Sequence, residues 1–220
     1  MNYATLVKTI KAYTENDFPT TAGSGSLTST EQIDTFITQA ERRIYNSVQF
    51  LAMRKNVTGT TTPSNKYLTV PTDWLADFSL ASVTPVTGEY VYLLNKDVNF
   101  IREAYPFPAT SGQPAFYSRF DADTYLLGPT PDAVYTMELH YFYYPETITT
   151  ASTTWLGDNF DMLLLYGCLL EAYTFMKGEE DVMAAYQKRY DEALSLAKQL
   201  AEGKNRQDMY RSTQIRQPVM

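Results

Sequence analysis

Cysteine and histidine are almost missing from this chain. Cys168 and His140 are the only ones. A single thiol excludes an intrachain disulfide, and one His with one Cys falls short of a zinc site. Any Ser-His-Asp or Cys-His constellation has to use His140. Basic residues are also in deficit. The 18 Lys and Arg stand against 25 Asp and Glu, a formal charge of −7. A protein that holds DNA through its phosphates is normally basic, so sequence-independent DNA binding is not expected. No apolar run approaches a membrane span, and the opening Met-Asn-Tyr-Ala-Thr lacks the basic and apolar regions of a signal peptide. The expected setting is a reducing cytoplasm, or a particle packaged there.

What is present fits a folded protein. The 220 residues suffice for one large domain or two small ones. The 18 Tyr and 11 Phe point to half-buried β-structure and protein contacts. Tyr3, Leu6, Val7, Ile10 and Tyr13 recur at helical spacing and predict a short helix over 3–14. Pro19, Gly23 and Gly25 then mark a loop. Thr28 with Glu31, or Ser29 with Gln32, has capping-box spacing before a second helix over 30–51. Its apolar face is Ile33, Phe36, Ile37, Ala40, Ile44, Val48 and Leu51, with Glu41, Arg42 and Arg43 largely off it. Helical periodicity then lapses. Short apolar runs at 67–70, 78–83, 89–94, 115–120, 124–127 and 134–143 read as strands, with Asp121-Ala122-Asp123 as a hairpin turn and 97–105 as one short helix. In the last strand Tyr135, Met137, Leu139, Tyr141 and Tyr143 share one side. Helical order returns at 158–177, ended by Gly178 as a C-cap. A final helix covers 179–202, with Tyr190, Ala197 and Leu200 on its stripe and Gly203 as its stop. No internal repeat is evident.

Amphipathic helices are marginal alone in water. Two precede the β region and two follow it, so packing the pairs together is the economical solution. The predicted fold class is α+β: a four-helix bundle from residues 1–55 and 146–203, an inserted β-rich domain over 56–145, and an extended C-terminal tail over 204–220. In the tail, Lys204, Arg206, Arg211 and Arg216 face only Asp208, giving +3 on a chain that is otherwise −10.

Candidates for chemistry are few, and each has a plainer reading. His140 lies opposite the tyrosines of its strand and reads as a surface residue. Cys168 sits in an apolar helix with no basic neighbour to activate it. Asp121-x-Asp123 lacks the ligand count of a calcium loop. Gly23-Ser24-Gly25 lacks the lysine of a phosphate loop. Glu171 with Asp158 and Asp161 is the one carboxylate set compatible with glycoside hydrolysis, and helix-surface charge is its commoner role. No catalytic, metal or cofactor site is expected, and the chain reads as a non-enzyme. The basic tail is either a docking peptide or a solvated charged end.

Several segments in series resemble one family. They are Tyr92-Leu93-Leu94-Asn95-Lys96-Asp97 continuing through Tyr105-Pro106, then Leu127-Gly128-Pro129-Thr130-Pro131-Asp132, the tyrosine-rich strand Glu138–Pro145, and Trp155-Leu156-Gly157 before Leu163-Leu164-Leu165-Tyr166-Gly167. Ala40-Glu41-Arg42-Arg43-Ile44-Tyr45 fits as well. Together they resemble head-to-tail adaptor proteins of tailed bacteriophages, similar to the tail tubular protein A class. The resemblance implies a structural virion protein of the neck, assembled in the host cytoplasm. It implies a homo-oligomeric ring of about twelve subunits beneath the portal, closed by heterologous contacts. Its helical bundle would line the channel, with DNA only as passing cargo. The implied partners are the portal protein, a tail nozzle or tail tube protein, and tail fibres as a further candidate; no membrane is involved. The tail would reach the portal, making Tyr210, Arg211, Ile215, Arg216 and Val219 the expected docking residues. Two other readings are a peptidoglycan-degrading neck protein and a carbohydrate-binding β-domain on a helical stalk.

Overall fold

Asn2 accepts a hydrogen bond from the Thr5 amide (2.9 Å) and starts α1 (Tyr3–Thr14), which buries Leu6, Ile10 and Thr14 along one stripe. Of the two possible capping boxes, Thr28 and Glu31 form the real one. The Glu31 amide donates to Thr28 Oγ1 (3.3 Å) and the Thr28 amide to Glu31 Oε2 (2.8 Å), opening α2 (Ser29–Ser47). The Thr28 amide, and after it the Thr28 hydroxyl donating to Oε2 (2.8 Å), hold the Glu31 carboxyl below its usual range. The helix stops short of residue 51, and Leu51–Met53 is a 3-10 turn. The structure, a computed structural model, describes residues 1–20, 25–84, 86–107 and 109–205. Their architecture is α+β, in two units: Met1–Ala52 with the chain from Pro145 onward, and Met53–Tyr144.

In the helical unit, residues 158–177 do not form one helix. α4 (Ile148–Ala151) and α5 (Trp155–Asn159) precede α6 (Asp161–Met176), with Phe160 at the break. The break seats Phe160 in an aromatic cluster, 5.5 Å between ring centres from both Phe50 and Trp155. α6 is the central helix. Leu163, Leu164, Leu165, Cys168, Leu169 and Leu170 are all buried, so it is apolar around its circumference. It packs against α1, α2, α5 and α7 (Glu180–Asn205). Gly167 marks the closest approach. A Cβ there would stand 3.2 Å from Ala40 Cβ and 3.4 Å from the Tyr190 ring.

Three helix-end expectations need correction. Gly178 is not the left-handed cap; Lys177 takes that conformation at φ 57°. Gly178 is needed for space, since a Cβ would lie 2.3 Å from Tyr173 Cδ1. Gly203 does not stop α7, which continues to Asn205. Leu200 is 43% exposed and is not part of the core, whereas Tyr190 and Ala197 are.

The β unit contains two four-stranded sheets. One has the order β1 (Arg54–Thr60), β8 (Thr136–Tyr143), β3 (Trp74–Val83), β4 (Tyr90–Tyr92). The other runs β2 (Tyr67–Thr69), β7 (Thr124–Gly128), β6 (Phe116–Arg119), β5 (Leu94–Asn95). The short helix α3 (Val98–Ala104) packs on β6 and β7. The Asp121–Asp123 turn joins β6 to β7, and the Asp123 amide donates to Asp121 Oδ1 (2.9 Å). That bond makes it an Asx turn rather than a calcium loop.

Both sheets share a core in which tyrosine is prominent. Tyr117, Tyr125, Tyr135 and Tyr141 are buried with Leu80, Met137 and Leu139. Their rings replace aliphatic core, and several hydroxyls reach carboxylates. Tyr125 donates to Asp77, Tyr135 to Asp132 (2.7 Å) and Tyr141 to Asp73 (2.7 Å). Burial first, then Asp77, pushes the Tyr125 phenol far up. Many tyrosines that looked available for contacts are therefore core; Tyr90 and Tyr92 remain exposed.

Candidate functional site

The residues that could have carried chemistry are divided between the units, His140 in the β unit and Cys168 with the carboxylates in the helical one. His140 is exposed on β8, its ring edge-on to Phe78 at 5.9 Å. Cys168 is fully buried, and burial pushes its thiol well above the ordinary range, with Glu41 and Glu171 adding to the rise. A thiol kept protonated is a poor nucleophile. The three carboxylates of the hydrolase reading have different partners. Glu171 pairs with Arg43, Asp158 lies 3.8 Å from the Met1 amine, and Asp161 accepts from the Met162 amide (2.8 Å). Among the described residues no group of His, Cys, Asp and Glu could hold a metal ion, and no helix is long and apolar enough to cross a membrane. Gly23 and Ser24 lie outside the described residues, as do Tyr210, Arg211, Ile215, Arg216 and Val219.

The most unusual titratable group is one that helical spacing had placed off the core face. Glu41 is only 2% exposed. It accepts from the Thr147 hydroxyl and from the Ile148 amide (3.1 Å), at the start of α4. Helix N-termini offer unsatisfied amides, and a carboxylate satisfies them. Burial nevertheless dominates and raises the Glu41 carboxyl above its usual value of 4.5, against the lowering effect of these two bonds. Because the folded state holds this proton more tightly than the unfolded chain, the contribution to stability is full below about pH 4.5 and falls as pH rises through the raised value. Glu41→Gln keeps an acceptor for Ile148 and supplies a donor for Thr147. Denaturant titrations from pH 4 to 7 should show a smaller decline for the variant than for the parent.

The helical unit also carries an unusual surface. Ala193, Leu196 and Leu200 run along α7, beside its buried Tyr190 and Ala197. Leu196 is 64% exposed, and beside this strip stand Met162 at 54% and Leu51 at 45%. Two depressions interrupt it. The larger, about 360 Å³, lies between Phe160, Met162 and Leu163 on one side and Ala193 and Leu196 on the other. Arg189 and Glu192, paired at 3.6 Å, and Asp161 form its polar edge. The smaller is shaped by Phe50, Leu51, Trp155 and Leu200. Leu196 had no place in the predicted stripe. Its signal was the Leu196/Leu200 spacing, a second apolar line beside the first. In the β unit, a cleft of about 290 Å³ opens between the edge strands β1 and β2 over Leu80, Tyr125 and Leu139.

These are features of a packing module, with apolar surface available and no assembled catalytic set among the described residues. Comparison with curated proteins finds no match. Comparison with protein families matches residues 1–218 to the family described as SU10 adaptor protein. That match takes in nearly the whole chain, both units included, and implies a structural role in the virion with portal and tail proteins as neighbours. The chain therefore belongs to the SU10 adaptor protein family, a family of bacteriophage head-to-tail adaptors.

Proposed function

We propose that this adaptor forms a ring of about twelve subunits beneath the portal, joins it to the tail and lines the DNA channel. The family match over residues 1–218 carries the reading. In it, α1, α2, α6 and α7 act as a four-helix bundle that supplies most of the heterologous ring contact. The Met53–Tyr144 unit is the β insertion, the residues after α7, 206–220, are the portal-docking tail, and the finer likeness is to the tail tubular protein A class. Support comes from the central position of α6, the exposed apolar strip on α7 and the charge of −7, which suits a channel wall past which DNA slides. Ring formation in the host cytoplasm and contact with tail fibres belong to the same reading. The direct test is to mix the purified protein with its portal and follow both by sedimentation. Co-sedimentation as a stoichiometric complex is expected; separate migration across micromolar concentrations contradicts the reading.

The adaptor has no enzymatic activity in this account. His140→Ala and Cys168→Ser are expected to leave particle assembly nearly normal. Neither variant should abolish a hydrolytic activity in cell-wall zymography. Loss of a measurable hydrolysis in either, with circular dichroism unchanged, would overturn the non-enzyme reading.

A further inference from the structure

The apolar strip on α7 is exposed on a helix whose chain continues. α7 ends at Asn205, and residues 206–220 follow in sequence. Leu200 lies about 7 Å back along the helix from that end, and the larger depression spans about 14–24 Å back, at about 1.5 Å per residue. A segment that reverses over two or three residues and then runs extended gains about 3.3 Å per residue. On such a path residue 210 would reach the level of Leu200 and the smaller depression, and residues 211–215 that of the larger one. The composition fits this path. Met209, Tyr210 and Ile215 are apolar or aromatic, and Arg206, Arg211 and Arg216 face only Asp208. The polar edge of the larger depression holds Asp161 and Glu192 against Arg189, an excess of one negative charge.

We propose that in the unassembled subunit residues 206–220 fold back along α7 and cover the strip formed by Leu196, Leu200 and Met162, so that the docking tail and the apolar face are held together until assembly separates them. The occupant is this chain's own tail, because it is joined to the end of the strip. Its effective concentration there is of order millimolar, far above that of a second copy in dilute solution. The covering does not depend on the portal reading; the release does. On release, one event frees the tail for the portal and exposes the strip to a neighbouring subunit.

The test introduces Gln199→Cys beside the strip and Ser212→Cys in the tail, leaving every apolar residue in place. Cys168 is buried and stays out of the reaction. Oxidation of dilute protein should give an intramolecular disulfide about 10-fold faster than in a control pairing Ser212→Cys with Lys8→Cys on α1. The advantage should disappear when Leu196→Ser and Leu200→Ser are added, both at exposed positions where folding is unaffected. Equal rates in all three proteins would overturn the proposal, as would crosslinked dimers in place of monomers. Portal binding of the reduced parent is measured alongside. Its absence would remove the portal reading and leave the crosslinking result to decide the covering by itself.

Discussion

Deleting residues 206–220 is expected to leave a folded protein that no longer attaches to portals. Every described contact of the helical unit lies upstream of the cut, so far-ultraviolet circular dichroism and Tm should change little. Attachment is a different matter. In the proposed complex the tail docks along the portal as an extended strand. Its backbone hydrogen bonds are recovered at a sheet edge, and Tyr210, Ile215 and Val219 enter alternate pockets. Arg211 and Arg216 would pair with portal carboxylates and fix orientation. Ordering such a segment costs about 1–2 kcal/mol per backbone residue, so docking succeeds only as a whole. Affinity for portals, measured by sedimentation with filled heads, should fall at least about 100-fold, equivalent to roughly 2.7 kcal/mol. Undiminished affinity of the truncated protein would reduce the tail to a solvated end. The same truncation uncovers the α7 strip, and binding of an apolar dye should rise.

Leu164→Ala is expected to have the largest effect on stability. Leu164 is fully buried in the first turn of α6. Removing its branched end leaves a cavity that the surrounding helices fill only partly, at a cost of about 2–5 kcal/mol. Each kcal/mol corresponds to about 2–4 °C in Tm for a protein of this size. Leu196→Ala removes the same atoms from a side chain that is 64% exposed. Its effect should stay within about 0.5 kcal/mol. Chemical denaturation of the two variants in parallel checks both values. A loss of stability at Leu196 matching that at Leu164 would mean that Leu196 is packed into the core of the helical unit.

The contrast between these leucines shows what could be read from the sequence. Local signals were legible. Thr28 and Glu31 stood at capping distance, Asp121-Ala122-Asp123 had turn chemistry, and β8 alternated cleanly enough to place Met137, Leu139 and Tyr141 inward. The missed elements had weak or non-local signals. β1 has a single aliphatic residue, Val57, and as an edge strand nearly all of it is exposed, so no alternation marks it. The burial of Glu41 depends on Thr147 and Ile148, 106 and 107 positions away. Spacing within α2 carries no trace of them. Lys177 rather than Gly178 takes the left-handed cap, and Gly178 is kept small by the ring of Tyr173, five residues back in the same helix, a packing contact that spacing alone does not mark. The recognition of the family rested on the order of several unremarkable segments, and the match over 1–218 agrees with it. The residues expected to dock, from Tyr210 to Val219, lie outside the described residues and stand on charge and composition.

In the proposed assembly this adaptor closes a ring through heterologous contacts between its helical units. The most direct measurement is electron microscopy of the protein assembled on its portal. One ring of about twelve subunits is expected, each helical unit meeting a different face of the next. A two-fold dimer on the assembled neck, or a ring joined only through the β units, would contradict it.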